Sequence, residues 1–327
     1  MKLNIALLAG GNSSERNVSL DSAAQVEQTL DTSKYNIYKI DLHGRDWNYT
    51  APDGTRVQVD KNDFSLTLDG RKIPLEYALI LIHGTPGEDG KLQGYLEMMD
   101  IPYSSCDMVS SVITFDKISC KRAVADMGIP LAREIFVKKG DTVEPAEVVR
   151  RFGLPLFIKP NASGSSFGVT KVKKEGEILP ALEAAFRESS EVLIEEFIEG
   201  REIGCGVMIA GGKEYVFPVT ELVSKRDFFD YEAKYTAGLA DEITPADLKP
   251  EVTRLLNEMT LKAYKACRCR GVVRIDFIVR NDTPYMIEIN TIPGMSAGSI
   301  VPKQVRAMGM TLGELFDIII ENTCVKK

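Results

Sequence analysis

Two carboxylates, an amide and a guanidinium stand at spacings that can build a charge-handling site. Arg274 and Asp276 are separated by one residue within the β-forming run 272–279, and Glu288 and Asn290 by one residue at the end of the next such run. Side chains alternate along a strand, so each pair shares a face, and consecutive strands of a hairpin bring the two pairs together. Two acids and an amide offer the oxygen ligands that magnesium or manganese prefers, with nucleotide phosphate oxygens and water completing the shell. A charged strand pair facing solvent is the alternative. The apolar residues Ile275, Phe277, Ile287 and Ile289, expected to bury the opposite face, weigh against it. A second cluster is the loop 161–168, Asn-Ala-Ser-Gly-Ser-Ser-Phe-Gly, which closely follows Lys159 at the end of a buried run. Its glycines let backbone N–H groups turn toward phosphate oxygens, and its serines add donors. The sequence has neither a GxxxxGK[ST] loop nor a GxGxxG after its first strand, so a nucleotide site here belongs to another class.

Composition narrows the choice. With 327 residues, 44% hydrophobic and 27% charged, the chain is long enough for two or three domains with real cores. A formal charge of -7 argues against a general nucleic-acid surface. The N-terminal apolar run 3–9 is too short to span a bilayer and has no cleavage-site pattern, so no membrane partner and a cytoplasmic location are expected. Six cysteines without a CxxC read as reduced structural thiols. Two histidines, His43 and His83, cannot make a histidine-rich metal site.

These groups need a scaffold, and the hydrophobic pattern outlines one. Run 3–9 predicts a buried strand, followed by a polar glycine loop and a helix over about 19–30. Strands follow over 35–40 and 77–82, with hairpins inserted over 47–73 around two Asp-Gly turns and a helix over 91–100. A second unit begins with one helix containing Asp116 and Lys117, then strands over 134–137, 156–159 and 192–197. Strands 203–209 and 214–218, a helix over 248–267 and the hairpin above complete the chain. The fold class is α+β in three parts: 1–105, 106–197 and 198–327.

The same residues carry a family resemblance. Lys117, the run Phe157-Ile158-Lys159-Pro160, the Gly/Ser loop, Glu195-Glu196-Phe197-Ile198, Glu202, Asp276, Glu288 and Asn290 follow the order and spacing of the ATP-grasp fold. Outside 47–73, the chain resembles the D-alanine–D-alanine ligase family from end to end. The specific matches are the run 10–19 with Glu15, the run 83–90 from His83 to Gly90, Tyr231-Glu232-Ala233-Lys234-Tyr235, and the run 288–296 with Gly294. The resemblance implies an ATP-grasp fold preceded by an N-terminal parallel α/β domain, and an ATP- and metal-dependent ligase making D-alanyl-D-alanine as a homodimer.

It also implies roles. Lys117 and Lys159, with Ser165 and Ser166, would meet the ATP phosphates. The backbone of Glu195, Glu196, Phe197 and Ile198 would grip adenine and Glu202 the ribose. Many relatives have lysine where this chain has Glu196, which a backbone contact would survive. Phe157, Phe228 and Ile287 are expected in the adenine pocket or in a core. Glu15 would receive the first D-alanine's ammonium group, and His83 lies near it or is structural. Arg274, Lys234 and Gly294 would face developing negative charge, and Ser299 and Ile300 the second substrate. Glu15, Ser165 and Tyr235 would form a hydrogen-bonded triad, and 225–240 a lid. Tyr235 favours the dipeptide over D-alanyl-D-lactate, since the lactate-specific branch resembles this site with phenylalanine there. D-alanyl-D-lactate or D-alanyl-D-serine ligation, or a nucleotide-binding regulator without catalysis, are the alternatives.

Overall fold

The computed structural model describes residues 2–164, 167–224 and 240–324. The first part contains β1 (Leu3–Gly10), α1 (Arg16–Glu27), β2 (Tyr35–His43), β3 (Asp46–Thr50), β4 (Arg56–Gln58), β5 (Ser65–Leu68), β6 (Arg71–Pro74), β7 (Tyr77–Ile80) and α2 (Lys91–Met98). Its sheet has the order β4-β3-β2-β1-β7, with β1 parallel to both neighbours and β3 and β4 antiparallel at one edge. The 47–73 segment holds the hairpins expected around its two Asp-Gly turns: β3–β4 continues the main sheet, and β5–β6 forms a two-stranded sheet of its own. Gly44 at φ +57° turns β2 directly back into β3, extending the sheet. Trp47, Val59, Phe64 and Leu66 then cover one sheet face, packing on Ala6, Leu8, Ile40 and Leu42. The α1 helix starts three residues before the predicted 19–30. Ser19 lies inside it, accepting a hydrogen bond from the Gly10 N–H (2.8 Å) and donating to the Leu81 carbonyl (2.7 Å), which fastens the helix to two strand ends.

The second part contains α3 (Met108–Phe115), α4 (Lys117–Val124), β8 (Glu134–Lys138), α5 (Pro145–Phe152), β9 (Leu156–Pro160), β10 (Thr170–Val172), α6 (Ile178–Glu188) and β11 (Glu191–Glu196). The single helix expected through Asp116 is two. Asp116 is extended (φ -82°, ψ 107°) and accepts from the Ser119 N–H at 2.8 Å, capping α4 so that Lys117 becomes its first residue. The sheet β10-β9-β11-β8 is antiparallel, and α5 and α6 bury Val148, Ala181, Leu182 and Ala185 in its core.

The third part contains β12 (Arg201–Ala210), β13 (Lys213–Val216), β14 (Thr220–Ser224), β15 (Ala240–Ile243), α7 (Pro250–Ala266), β16 (Val273–Arg280), β17 (Thr283–Asn290), α8 (Ile300–Ala307) and α9 (Leu312–Thr323). Its antiparallel sheet runs β15-β14-β12-β16-β17, with β13 also on β12. The helix predicted over 248–267 is present as α7, with Val252, Leu256, Met259 and Ala263 buried against this sheet. Val301, Val305, Leu315, Phe316 and Ile319 from α8 and α9 pack onto Ile5, Leu7, Ala23 and Val26. The end of the chain thus shares a core with its first strand and helix, holding the outer parts together around the middle one.

Candidate active site

A cavity of about 460 Å³ lies between the second and third sheets, and most of the sequence-predicted nucleotide residues line it: Lys117, Phe157, Lys159, Glu195 to Ile198, Glu202, Ile287 and Glu288. Lys117 opens α4, where its buried ammonium donates to the Ser163 carbonyl (2.9 Å) and stands 3.7 Å from Glu288 Oε2. Lys159 lies buried near the end of β9, and its Nζ pairs with Glu195 Oε2 at 2.5 Å. Glu195 is buried, which alone would raise its pKa. The ammonium groups of Lys159 and Lys121 outweigh that and hold the carboxyl below the usual range.

Apolar walls come from Phe157 and Phe197, whose ring centroids are 5.9 Å apart, and from Ile287, Ile278 and Leu222. The Lys171 ammonium lies 4.1 Å from the Phe197 ring centroid. Glu196 turns its carboxylate to Arg133, accepting from its backbone N–H (2.9 Å) and Nε (2.8 Å), so the side chain is committed to the neighbouring loop. Ile278 and Leu222 were missed by sequence reading. Their alternation along β16 and β14 was the available signal, but which face met the cavity was not.

Across β16 and β17 the register pairs Asp276 with Glu288 and Arg274 with Asn290, so all four converge as their spacing predicts. Arg274 binds Asp276 in a bidentate pair (2.8 Å for each bond), and Asn290 Nδ2 donates to Asp276 Oδ2 at 3.0 Å. Immediately after Asp276 the register shifts, with Phe277 paired to Met286. Ile287 is the extra residue of this bulge. Met286 consequently fills the core position, 1% exposed, and Ile287 faces the cavity beside Glu288. This corrects the expectation that Ile287 buries the opposite face: it lines the cavity instead. Two carboxylates facing one another with an amide alongside fit a hard divalent cation. Among the described residues no group of three His, Cys, Asp or Glu could hold a metal, so the remaining ligands would come from phosphate and water.

The third cluster sits where the first part meets the Gly/Ser loop. Glu15, just before α1, is buried, and a Cβ on Gly164 would fall 2.3 Å from its Oε2. Any side chain at residue 164 would force the loop or the carboxylate to shift. His83 lies close by with both ring nitrogens engaged. Its Nδ1 donates to the Ile292 carbonyl (2.8 Å), leaving Nε2 to accept from Ser22 Oγ at 3.4 Å. Burial lowers the pKa of this imidazole, against the opposing pull of Glu15. Glu88, to which sequence reading gave no role, accepts from the N–H groups of Gly84 (2.8 Å) and Ile292 (3.2 Å). Burial, then the Glu15 charge, push its pKa up to about 8. Ser299 stands at the N-cap position of α8 without a side-chain capping hydrogen bond, and its hydroxyl meets that of Ser296 at 2.8 Å. Gly294 lies so close that a Cβ there would be 2.8 Å from Ser299 Oγ. Ile300 follows, buried. Ser165, Ser166, Phe228, Lys234 and Tyr235, and with them the expected triad and lid, lie outside the described residues.

The α+β fold, with Lys117, Lys159 and Glu288 lining one cavity, is that of the ATP-grasp class. Within it, the N-terminal model of the D-Ala D-Ala ligases matches residues 4–106 and the C-terminal model residues 123–321. The chain belongs to the D-alanine–D-alanine ligase family. A D-alanine–D-alanine ligase of Bacteroides fragilis is 46% identical over 323 residues, covering 98% of this chain and 99% of its own. Among solved structures, the VanG D-Ala:D-Ser ligase of Enterococcus faecalis superposes with a TM-score of 0.88 at 31% identity, covering 99% of this chain and 100% of its own. A D-alanine–D-alanine ligase of Bacillus anthracis complexed with ATP gives 0.80 at 33% identity, over 99% and 97% of the two chains.

Proposed function

We propose that the chain uses ATP to join two D-alanines into D-alanyl-D-alanine, a precursor for peptidoglycan, working in the cytoplasm as a homodimer. The observation that carries this reading is the in-register pairing of Asp276 with Glu288 and of Arg274 with Asn290, with Lys117 3.7 Å from Glu288. Such a cluster concentrates cations and metal ligands where phosphoryl transfer needs them. The parts 1–105, 106–197 and 198–327 contribute the first D-alanine site, the phosphate loop, and the metal ligands with the second subsite.

The reaction has two steps. A carboxylate oxygen of the first D-alanine attacks the γ-phosphorus of ATP, releasing ADP and forming D-alanyl phosphate. The amine of the second D-alanine then attacks the acyl carbon, and phosphate leaves from the tetrahedral intermediate. Lys117 and Lys159 bind and orient the phosphates, with Ser165 and Ser166 donating from the loop. The apolar walls of Phe157, Phe228 and Ile287 hold adenine, the main chain from Glu195 to Ile198 reads its edge, and Glu202 takes the ribose hydroxyls. Asp276, Glu288 and Asn290 would hold magnesium or manganese, which when bound offsets the phosphate charge. Glu15 receives the first ammonium group, with Ser165 and Tyr235 latching its position and His83 buttressing it. Arg274, Lys234 and the Gly294 N–H face the oxygen that gains charge in the tetrahedral species. Ser299 and Ile300 receive the second D-alanine.

The test follows one oxygen atom. With D-alanine labelled by ¹⁸O in its carboxylate, one label should appear in each phosphate released, because that oxygen bridges phosphorus and carbon in the intermediate. Unlabelled phosphate alongside dipeptide formation would contradict the acyl-phosphate route.

A further inference from the structure

Behind the wall of the cavity sits a buried cation that no role above uses. Lys121 lies one turn after Lys117 on α4, and its side chain is 6% exposed. Its ammonium has three acceptors for its three protons: the Ala132 carbonyl (2.8 Å), Glu134 Oε2 (2.6 Å) and Glu195 Oε1 (2.8 Å). Ala132 and Glu195 line the cavity, whereas Lys121 does not. The other oxygen of Glu195 holds Lys159 at 2.5 Å. One buried carboxylate is therefore shared between two buried ammonium groups, one in the cavity wall and one behind it. Glu134, the remaining anion, has a side chain 28% exposed, so its charge is partly screened by solvent.

We propose that Lys121 is a positioning residue for nucleotide binding: it neutralises Glu195 from behind, so that Lys159 presents an uncompensated positive charge to the ATP phosphates. This rests on the ATP-binding reading above. Lys121, Glu195 and Lys159 together carry one net positive charge. Without Lys121 the remaining pair is neutral, and Glu195 competes undivided with the nucleotide for Lys159. In a wall shielded from water this competition is strong. Lys121 also fixes α4 against β11. The helix that starts with Lys117 is thereby held in register with the strand whose Glu195 pairs with Lys159.

The test measures equilibrium ATP binding by calorimetry, together with steady-state constants, for the full chain and four variants. Lys121→Met should weaken ATP binding and raise the KM for ATP about tenfold, while kcat and the KM for D-alanine stay within about threefold. Lys121→Arg keeps the charge and should bind ATP nearly as the parent does. Glu195→Gln is the reference for the double variant Lys121→Met/Glu195→Gln. Removing both charges restores the single positive charge at Lys159, so the double variant should bind ATP more tightly than Lys121→Met. It also removes the buried carboxylate that Lys121→Met leaves with one of its two ammonium partners, and so gives a measurement if Lys121→Met folds poorly. The inference is overturned if Lys121→Met binds ATP as the parent does, if Lys121→Arg loses as much affinity as Lys121→Met, or if the double variant binds no better than the single. Those losses without rescue would make Lys121 a packing residue. A parent chain that itself fails to bind ATP would overturn the functional reading, a result distinct from all of these.

Discussion

Glu288 stands opposite Asp276 in the β16–β17 register, lines the cavity and lies 3.7 Å from the Lys117 ammonium. A carboxylate so placed would, in the proposed reading, face a divalent cation as well as the lysine. Glu288→Gln keeps the shape and deletes the charge, so kcat should fall at least about a hundredfold, reflecting the several kcal/mol that such charge stabilisation contributes. The far-ultraviolet circular dichroism should be unchanged; near-normal turnover in the folded variant would remove Glu288 from the chemistry. A second residue makes a pH prediction. The Glu88 carboxyl, ordinarily near 4.5, is pushed up to about 8 by burial and by Glu15. Between these values the folded chain holds a proton that the unfolded chain releases, so this group's contribution to stability falls as pH rises through that window. Glu88→Gln cannot titrate. Its urea midpoint should therefore decline less between pH 5 and pH 8 than that of the parent, and parallel declines would show that Glu88 is not the group responsible.

At the scale of elements, the break at Asp116 turns a helix interior into a helix start. Asp116 caps α4 through the Ser119 N–H and accepts from Asn161 Nδ2 at 2.5 Å, tying the start of α4 to the chain just beyond β9. Asp116→Ala should cost about 1 kcal/mol in denaturant unfolding. It should also raise the KM for ATP, because Lys117 is the next residue; a stability loss with unchanged KM would mean that the cap does not aim Lys117. Neither the break nor the Ile287 bulge was legible in the sequence. An aspartate amid apolar helical residues has no local mark separating a cap from an exposed face. A bulge leaves alternation intact on either side and shifts it by one residue. The convergence of Arg274, Asp276, Glu288 and Asn290 was legible, because period-two alternation and a short turn suffice to specify it. Lys121 and Glu134 were not, since their pairing with Glu195 depends on how a helix docks onto a sheet formed much later in the chain.

Across the whole molecule, the site exists because separate parts meet at close contacts made by small residues. Gly164 brings the Gly/Ser loop against the buried carboxylate of Glu15, which a Cβ at this position would displace. Gly164→Ala should lower kcat/KM for D-alanine by roughly tenfold to a hundredfold through misplacement of reacting groups. Gly176→Ala, where a Cβ meets nothing within 4 Å, serves as the control. Equal kinetics for the two variants would mean that the junction does not position substrate. The central claim concerns which second substrate the assembled site accepts, a pointed question because the D-Ala:D-Ser ligase of Enterococcus faecalis shares the fold at a TM-score of 0.88. The most direct test is product analysis after incubation with ATP, magnesium and equimolar D-alanine, D-serine and D-lactate. The account predicts D-alanyl-D-alanine as the dominant product, with one ADP and one phosphate per dipeptide. Predominant D-alanyl-D-serine or D-alanyl-D-lactate, or no D-alanine-dependent phosphate release, would contradict it.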